Sequence, residues 1–380
     1  MRAVAAGGRL AFPAFLVLAV IDASGYGIIG PVIPAISDAT GAGPGLTGLL
    51  VAMFALGMAV GFLLAGIGVR RWGAAWVLAA GIGLMALGAL GFVAFESLPL
   101  FFSARFLMGL GSGGLWIGIA LGVIERWPGE EFRRLTGVMA TYSAGGIAGP
   151  ALGALGGIRA PFLGYLGLVA LGGLSLLLVG APHERAPAFR SERDVLRSPG
   201  FFLASAGIVM VSVTIGAFDG VLPLHFDSLL SQSEIAALYV GTSLVLAFWT
   251  FAAERFPLRP TLYAATLLIV GGLSLAGAGD EVWVWIVALA LVGTGFGLAQ
   301  ASSLGVLLEA VGTERIVLAM VAWSQAFAIG YLLGPALGGG VVEALGFAAL
   351  GIVPAAFALL VLSAALLERR GRRLRPEGRV

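Results

Sequence analysis

Gly149-Pro150-Ala151-Leu152-Gly153 recurs as Gly334-Pro335-Ala336-Leu337-Gly338, an offset of 185 residues. The match widens in both directions. Gly145, Gly149 and Gly153 step by four residues, and so do Gly330, Gly334 and Gly338. Gly109, Gly111 and Gly113 return as Gly293, Gly295 and Gly297 at an offset of 184, and Glu125 and Arg71 return as Glu309 and Arg255 at that same offset. Val32-Ile33-Pro34 returns as Val221-Leu222-Pro223, an offset of 189. Chance gives one such match but not a series in order, so the chain reads as an internal duplication with a period of half its length.

Each copy is written for lipid. The 380 residues are 59% hydrophobic and 11% charged, with mean hydropathy +1.02. Water-soluble domains carry roughly 25% charged residues, and the apolar excess here runs the whole length. A spanning helix needs about 20 apolar residues. Polar punctuation gives twelve spans, at 12–36, 45–67, 74–94, 98–124, 135–157, 161–180, 200–226, 235–252, 260–279, 282–308, 316–341 and 346–367. The first run is too long for the h-region of a signal peptide and reads as a span.

All 22 basic residues are arginine. Twenty lie on one set of loops and ends: Arg2, Arg9, Arg70, Arg71, Arg126, Arg133, Arg134, Arg185, Arg190, Arg193, Arg197, Arg255, Arg259, Arg315 and the six from Arg369 to Arg379. The alternate loops hold Asp38, Glu96, Asp227, Glu234, Asp280, Glu281 and Glu343 with only Arg159. By the positive-inside rule the first set is cytoplasmic, which puts both termini inside. The expected architecture is an all-α polytopic membrane protein of twelve helices in two parallel six-helix repeats, residues 1–182 and 199–380, joined by a cytoplasmic linker at 183–198. Parallel repeats are the plan of transporters that work by alternating access, with the site near the midplane between the halves.

The glycine stripe Gly145, Gly149, Gly153 lies on one helix face, where small residues let backbones pack closely in lipid, and Pro150 removes a backbone donor. Gly330, Gly334, Pro335 and Gly338 repeat it. Residues 145–153 resemble the helix 5 signature of the antiporter branch of the major facilitator superfamily, with Ala154 where a glycine is usual. The run Asp22-Ala23-Ser24-Gly25-Tyr26-Gly27-Ile28-Ile29-Gly30-Pro31-Val32-Ile33-Pro34 resembles helix 1 of drug:proton antiporters, including tetracycline and multidrug efflux proteins. Arg105-Phe106-Leu107-Met108-Gly109-Leu110-Gly111 is similar to the family's helix 4 motif, with Met108 where glutamine is common. The loop Gly66-Ile67-Gly68-Val69-Arg70-Arg71-Trp72-Gly73-Ala74-Ala75 keeps Arg71 and Gly73 of the family's helix 2–3 motif. It has Arg70 at the acidic position and alanines at both terminal basic positions. In the family that carboxylate helps latch the cytoplasmic side, so here the latch requires another acid, such as Glu130 or Glu254.

Charges inside a span cost roughly 2.5–3.5 kcal/mol and are functional candidates by default. There are three: Asp22, Arg105 and Asp219. At 1.5 Å per residue, Asp22 stands roughly 18 Å from the outer end of helix 1 and Arg105 roughly 10 Å deep, within reach of a long side chain. Asp219 is four residues before Pro223, nearer the outer mouth. The expectation is that Asp22 binds and releases the coupling proton in competition with substrate, with Arg105 as counter-charge and Asp219 as a second carboxylate. Tyr26, Trp116, Tyr142, Phe218, Trp249, Gln300, Trp323 and Gln325 are the expected substrate-cavity residues, an apolar lining with a few polar groups that suits amphipathic ligands. Trp283 and Trp285, at a span start, read as interfacial anchors.

The expected function is proton-coupled efflux of small amphipathic or drug-like molecules. Its alternative is proton-coupled uptake of a small solute such as a sugar or organic acid. With no cysteine and with His183 and His225 far apart, no metal site is expected. The absence of lysine rules out the lysine of a nucleotide-binding glycine loop, so ATP-driven transport and an enzyme are disfavoured. The expected partners are a small-molecule substrate, protons and the bilayer of the cell membrane, with no cofactor and no nucleic acid, in a monomer.

Overall fold

The computed structural model describes residues 2–127, 130–179, 196–311 and 316–373. These form thirteen α-helices and no strand: α1 (Arg2–Gly27), α2 (Ile29–Thr40), α3 (Pro44–Trp72), α4 (Ala74–Ala94), α5 (Leu98–Arg126), α6 (Glu131–Gly153), α7 (Arg159–Val179), α8 (Pro199–Phe226), α9 (Gln232–Ala252), α10 (Leu258–Ala278), α11 (Val282–Val311), α12 (Ile316–Leu345) and α13 (Ile352–Arg373). Short 3₁₀ turns at Ala253–Arg255 and Phe347–Ala349 precede α10 and α13. Most of the expected linker at 183–198, and the side chain of Arg70, lie outside the described residues.

Among the described residues, eleven segments are long and apolar enough to cross a membrane. The first, Leu10–Thr40, joins α1 and α2. The fifth expected span is α6, a helix of 23 residues. It falls below the others in hydropathy because Arg133, Arg134, Thr141 and Tyr142 share it with the glycine stripe. The helix also runs four residues earlier than expected, ending at Gly153. Gly156 and Gly157 follow with φ of +84° and +64°, a left-handed backbone that ends the helix and that only glycine adopts without strain. The last span begins at Phe347, close to the expected start, but its α-helix begins only at Ile352, because the 3₁₀ turn that follows Gly346 (φ +82°) comes first.

The duplication is present contact by contact. A Cβ placed on Gly145 would meet Val20 O at 2.6 Å, and one on Gly330 would meet Val209 O at 2.8 Å. Gly149 lies on Ser24 O and Gly334 on Val213 O, while the Pro150 ring packs on Gly27 and the Pro335 ring on Gly216. Every pair of partners is 189 residues apart. Likewise Gly111 packs on α4 and Gly295 on α10, while Gly113 packs on α3 and Gly297 on α9. The glycine stripes therefore seat α6 on α1 and α12 on α8, each within its own repeat.

Backbone-to-backbone seating leaves no room for a methyl. Gly149→Ala and Gly334→Ala should each lower stability by about 1–3 kcal/mol, the usual cost of overpacking, seen as a lower unfolding temperature in detergent. Gly83→Ala is the control, since a Cβ there would meet nothing within 4 Å. An unchanged midpoint in the two seam variants would show that the helices separate freely.

Contacts divide the chain into two compact units, Met1–Ala188 with Asp219–Leu244, and Phe189–Phe218 with Val245–Val380. This cut differs from the repeat boundary, because the end of α8 and most of α9 pack on the first repeat. Tyr239 fills the space over Gly30. Ser243 Oγ donates to Gly146 O at 2.8 Å. The Gln232 amide donates to Gly153 O and Gly157 O, both at 3.0 Å, and accepts from Gly157 N at 2.8 Å. These three contacts form a clasp on the arginine-poor side. Asp227 lies on the same side, and its carboxyl is raised above its ordinary range by desolvation and then by Asp38, its mate in the repeat. The loop charges predict that reporter fusions at Glu96 and Asp280 read outside and those at Arg190 and Arg372 read inside; the inverse at any two would overturn that orientation.

Candidate functional site

Asp22 sits on α1 and is 2% exposed. The α6 stripe brings α6 against α1 from Val20 to Ile28, which places Tyr142, just before the stripe, beside the carboxylate. The Tyr142 hydroxyl donates to Asp22 Oδ2. Asp22 Oδ1 is buried without a hydrogen-bond partner. The buried Ser112 of α5 stands within hydrogen-bonding reach of the carboxylate. The Trp116 ring is edge-on to Tyr142 at 5.4 Å. Tyr165 of α7, fully buried, donates to Ile21 O at 3.1 Å and is within electrostatic range of both Asp22 and Arg105.

Arg105 is 0% exposed. Its Nη1 donates to Gly25 O at 2.8 Å and its Nη2 to Tyr26 O at 3.0 Å. Its Cζ lies 4.3 Å from the Phe54 ring centroid, and Tyr26 packs edge-on to the same ring at 5.8 Å. The reason for this carbonyl pairing is the break between α1 and α2 at Ile28. Pro31 has no N–H for Gly27 O, and its ring crowds that carbonyl, so the helix is interrupted there. The last carbonyls of a helix carry partial negative charge and need donors. Arg105 supplies two, about one helical turn along α1 from Asp22.

Among the expected residues, the first unit thus gathers Asp22, Arg105, Tyr26, Trp116 and Tyr142. Phe54, Ser112 and Tyr165 also belong to the cluster and were not expected. Tyr165 and Ser112 each carried a signal, a hydroxyl in an otherwise apolar run, whereas Phe54 carried none.

The remaining expected residues lie elsewhere. Asp219 is on α8 and is 4% exposed. In the second unit, Phe218 is buried, Trp249 packs edge-on to Phe248 at 5.4 Å, and the Trp323 indole donates to Ser303 Oγ at 3.0 Å. Ser303 Oγ in turn donates to Ala204 O at 2.7 Å, so Trp323 pins α12 to α11 and α8. Gln300 is half-buried, and Gln325 has a buried Nε2 without a hydrogen-bond partner. Trp283 is exposed, as an interfacial anchor should be; Trp285 is buried, with its indole on Gly279 O at 2.6 Å, and is a packing residue. Arg71 is exposed, and Gly73 has φ +89° at the turn between α3 and α4. Glu130 is engaged locally by Arg133 and Arg134, both at 2.8 Å, which hold its carboxyl below the ordinary range. A cavity of about 490 Å³ bounded by Ala35, Phe92, Glu96 and Arg159 contains none of the expected site residues.

The sequence pattern of the Major Facilitator Superfamily matches residues 15–236 and 202–379. The chain belongs to this superfamily. Within it, the chain is 24% identical over 200 residues to the uncharacterised MFS-type transporter YfiU of Bacillus subtilis (strain 168). That match covers 52% of the chain and 39% of the relative, so the chain spans well under half the length of the curated relative it matches. The fold is similar to that of a bacterial homologue of the human lysosomal transporter Spinster, solved in an inward-facing and unoccupied conformation. The TM-score is 0.71 at 14% identity, covering 95% of this chain and 96% of the other. It is also similar to the nucleoside transporter NupG, with a TM-score of 0.66 at 14% identity, covering 94% and 99%. At these identities the likeness to the two solved structures shows the fold alone.

Proposed function

We propose that this transporter is a proton-coupled exporter of small amphipathic molecules, with Asp22 as the carboxylate that carries the coupling proton. The observation that supports this reading is the state of Asp22. It is a carboxylate within a membrane span, held at one oxygen by Tyr142, with the other oxygen buried and Ser112 the neighbouring hydroxyl. An intramembrane carboxylate is expensive to keep charged, and two neutral hydroxyls beside it leave that charge without a counter-ion in contact, which favours taking up a proton. Trp116, packed on Tyr142, gives an apolar ligand a surface from which to disturb the phenol–carboxylate bond. Proton and ligand then compete for one place, which is the requirement for exchange. Arg105 holds the end of α1 in place below Asp22 and contributes positive potential. Efflux rather than uptake is favoured by the resemblance of Asp22–Pro34 and Gly145–Gly153 to drug:proton antiporters. The experiment is proton movement in inverted membrane vesicles on adding compounds from a panel of amphipathic amines and neutral aromatics. Movement with sugars or organic acids in the opposite sense would support the uptake alternative instead.

A further inference from the structure

Three helices grip α1 around Asp22. From α6, Tyr142 reaches the carboxylate, and from α5, Arg105 reaches Gly25 O and Tyr26 O. From α7, Tyr165 donates to Ile21 O at 3.1 Å, the carbonyl next to Asp22 in the chain. Its side chain is fully buried, and Met85 Sδ of α4 lies 3.6 Å from the same hydroxyl oxygen. Gly25 makes the room. A Cβ there would overlap the Tyr165 hydroxyl and lie 2.8 Å from both Tyr165 Cζ and Met85 Cε.

The second repeat shows what the fold itself requires at this point. The offset of 189 carries Ile21 to Met210 and Gly25 to Thr214. Thr214 Oγ1 donates to Met210 O at 2.8 Å. Both repeats thus place a hydroxyl on the same carbonyl, which has two lone pairs and can accept twice. In α8 the hydroxyl comes from the next turn of the same helix and makes no tie between helices. In α1 that threonine is a glycine, and the hydroxyl comes from α7. The offset of 185 that relates the α6 and α12 stripes carries Tyr165 to Leu350, which is buried and has no hydroxyl. Satisfying the carbonyl therefore requires neither a tyrosine nor a second helix. The tie is present in the repeat that holds Asp22 and Tyr142, whose mates are Val211 and Phe327.

We propose that Tyr165 is a positioning residue for Asp22, fixing the rotation of α1 through Ile21 O and so keeping the carboxylate on the Tyr142 hydroxyl. The role rests on Asp22 as the proposed coupling group. Ile21 and Asp22 are consecutive, so a turn of α1 that frees the carbonyl swings the carboxylate by the same angle. A rotation of about 20° moves a side-chain tip about 5 Å from the helix axis by about 2 Å, enough to break a hydrogen bond. The polar groups that face the carboxylate are Ser112 and Arg105 of α5, Tyr142 of α6 and Tyr165 itself.

The test observes Asp22 directly, without transport. In the purified full chain, the infrared C=O band of the Asp22 carboxylic acid is assigned as the band lost in Asp22→Asn and is followed against pH. Its frequency reports hydrogen bonding, and its height reports protonation. Tyr165→Phe removes the hydroxyl alone. Gly25→Thr combined with Tyr165→Leu installs the arrangement of the second repeat, with the carbonyl satisfied from within α1. In both variants the band should change frequency and its midpoint should move by about one pH unit, the equivalent of one hydrogen bond to a charged group. An unchanged band in Tyr165→Phe overturns the proposal. So does a wild-type band in the paired variant, which would make Tyr165 a packing residue. If the paired variant does not fold, Tyr165→Phe against wild type decides alone. The coupling reading fails separately, through a wild type that moves compound without protons; a displaced band in Tyr165→Phe then still assigns Tyr165 its role at Asp22.

Discussion

Gly146→Cys combined with Ser243→Cys should form a disulfide that stops transport until it is reduced. A Cβ built on Gly146 lies 4.0 Å from Ser243 Cβ, inside the 3.5–4.5 Å range of native disulfides. The chain has no cysteine of its own, so the engineered pair reacts only with itself. The bond would fix α6 to α9 beside the Gln232 clasp. If transport proceeds by alternating access, this side must open once in every cycle, and a covalent tie between two moving helices holds the transporter in one state. The measurement is uptake of a transported compound into vesicles after mild oxidation, repeated after a reductant, with both single-cysteine variants as controls. Oxidised protein should fall to background and recover on reduction. Crosslinked protein that works at the wild-type rate would mean that α6 and α9 never part.

Asp22→Asn should abolish accumulation against a gradient while leaving exchange of substrate across the membrane. Asparagine keeps the size of the side chain and can still accept from the Tyr142 hydroxyl, so the seam between α1 and α6 is retained. It removes the only feature that the coupling reading needs, a group that alternates between charged and neutral. The charged state at mid-span carries a penalty of roughly 2.5–3.5 kcal/mol, so the neutral variant should insert and fold at least as well as the wild type. Loss of accumulation with normal folding then isolates coupling from structure. If Asp22→Asn accumulates substrate at the wild-type rate, the coupling group is elsewhere, and Asp219, also a buried carboxylate of a span, is the next to test.

The duplication was legible because glycine is irreplaceable where backbones touch. Gly145, Gly149 and their mates repeat in sequence, and the carbonyls they meet, Val20 and Val209 or Ser24 and Val213, repeat in structure. Asp22 and Arg105 were legible by a different rule, since a charge inside an apolar run has no role in lipid packing. What faces each charge was not legible. A depth estimate put Arg105 within reach of Asp22, and the structure shows its guanidinium on Gly25 O and Tyr26 O. That follows from the break at Ile28, which two prolines announce but whose partner they do not name. Tyr142 was expected as a cavity residue, and its bond to Asp22 needed the relative rotation of α1 and α6. The Gln232 clasp left no trace, because one amide bonding to glycine backbone has no side-chain counterpart to pattern against. Trp285 shows the limit of position as a guide: two tryptophans share one span start, and helix rotation alone decides that Trp283 faces out and Trp285 faces in.

The most direct test of the central claim is proton flux through the wild type and Asp22→Asn in the same inverted vesicles. An inward-acid pH gradient is imposed and followed with a pH-sensitive dye while a transported amphipathic compound is added. The wild type should let protons out of the vesicle as the compound enters, visible as a step that depends on compound concentration. Asp22→Asn should show no step while still exchanging labelled compound. A step of equal size in Asp22→Asn would contradict the assignment of Asp22, and a wild type that moves compound with no proton step would contradict proton coupling itself.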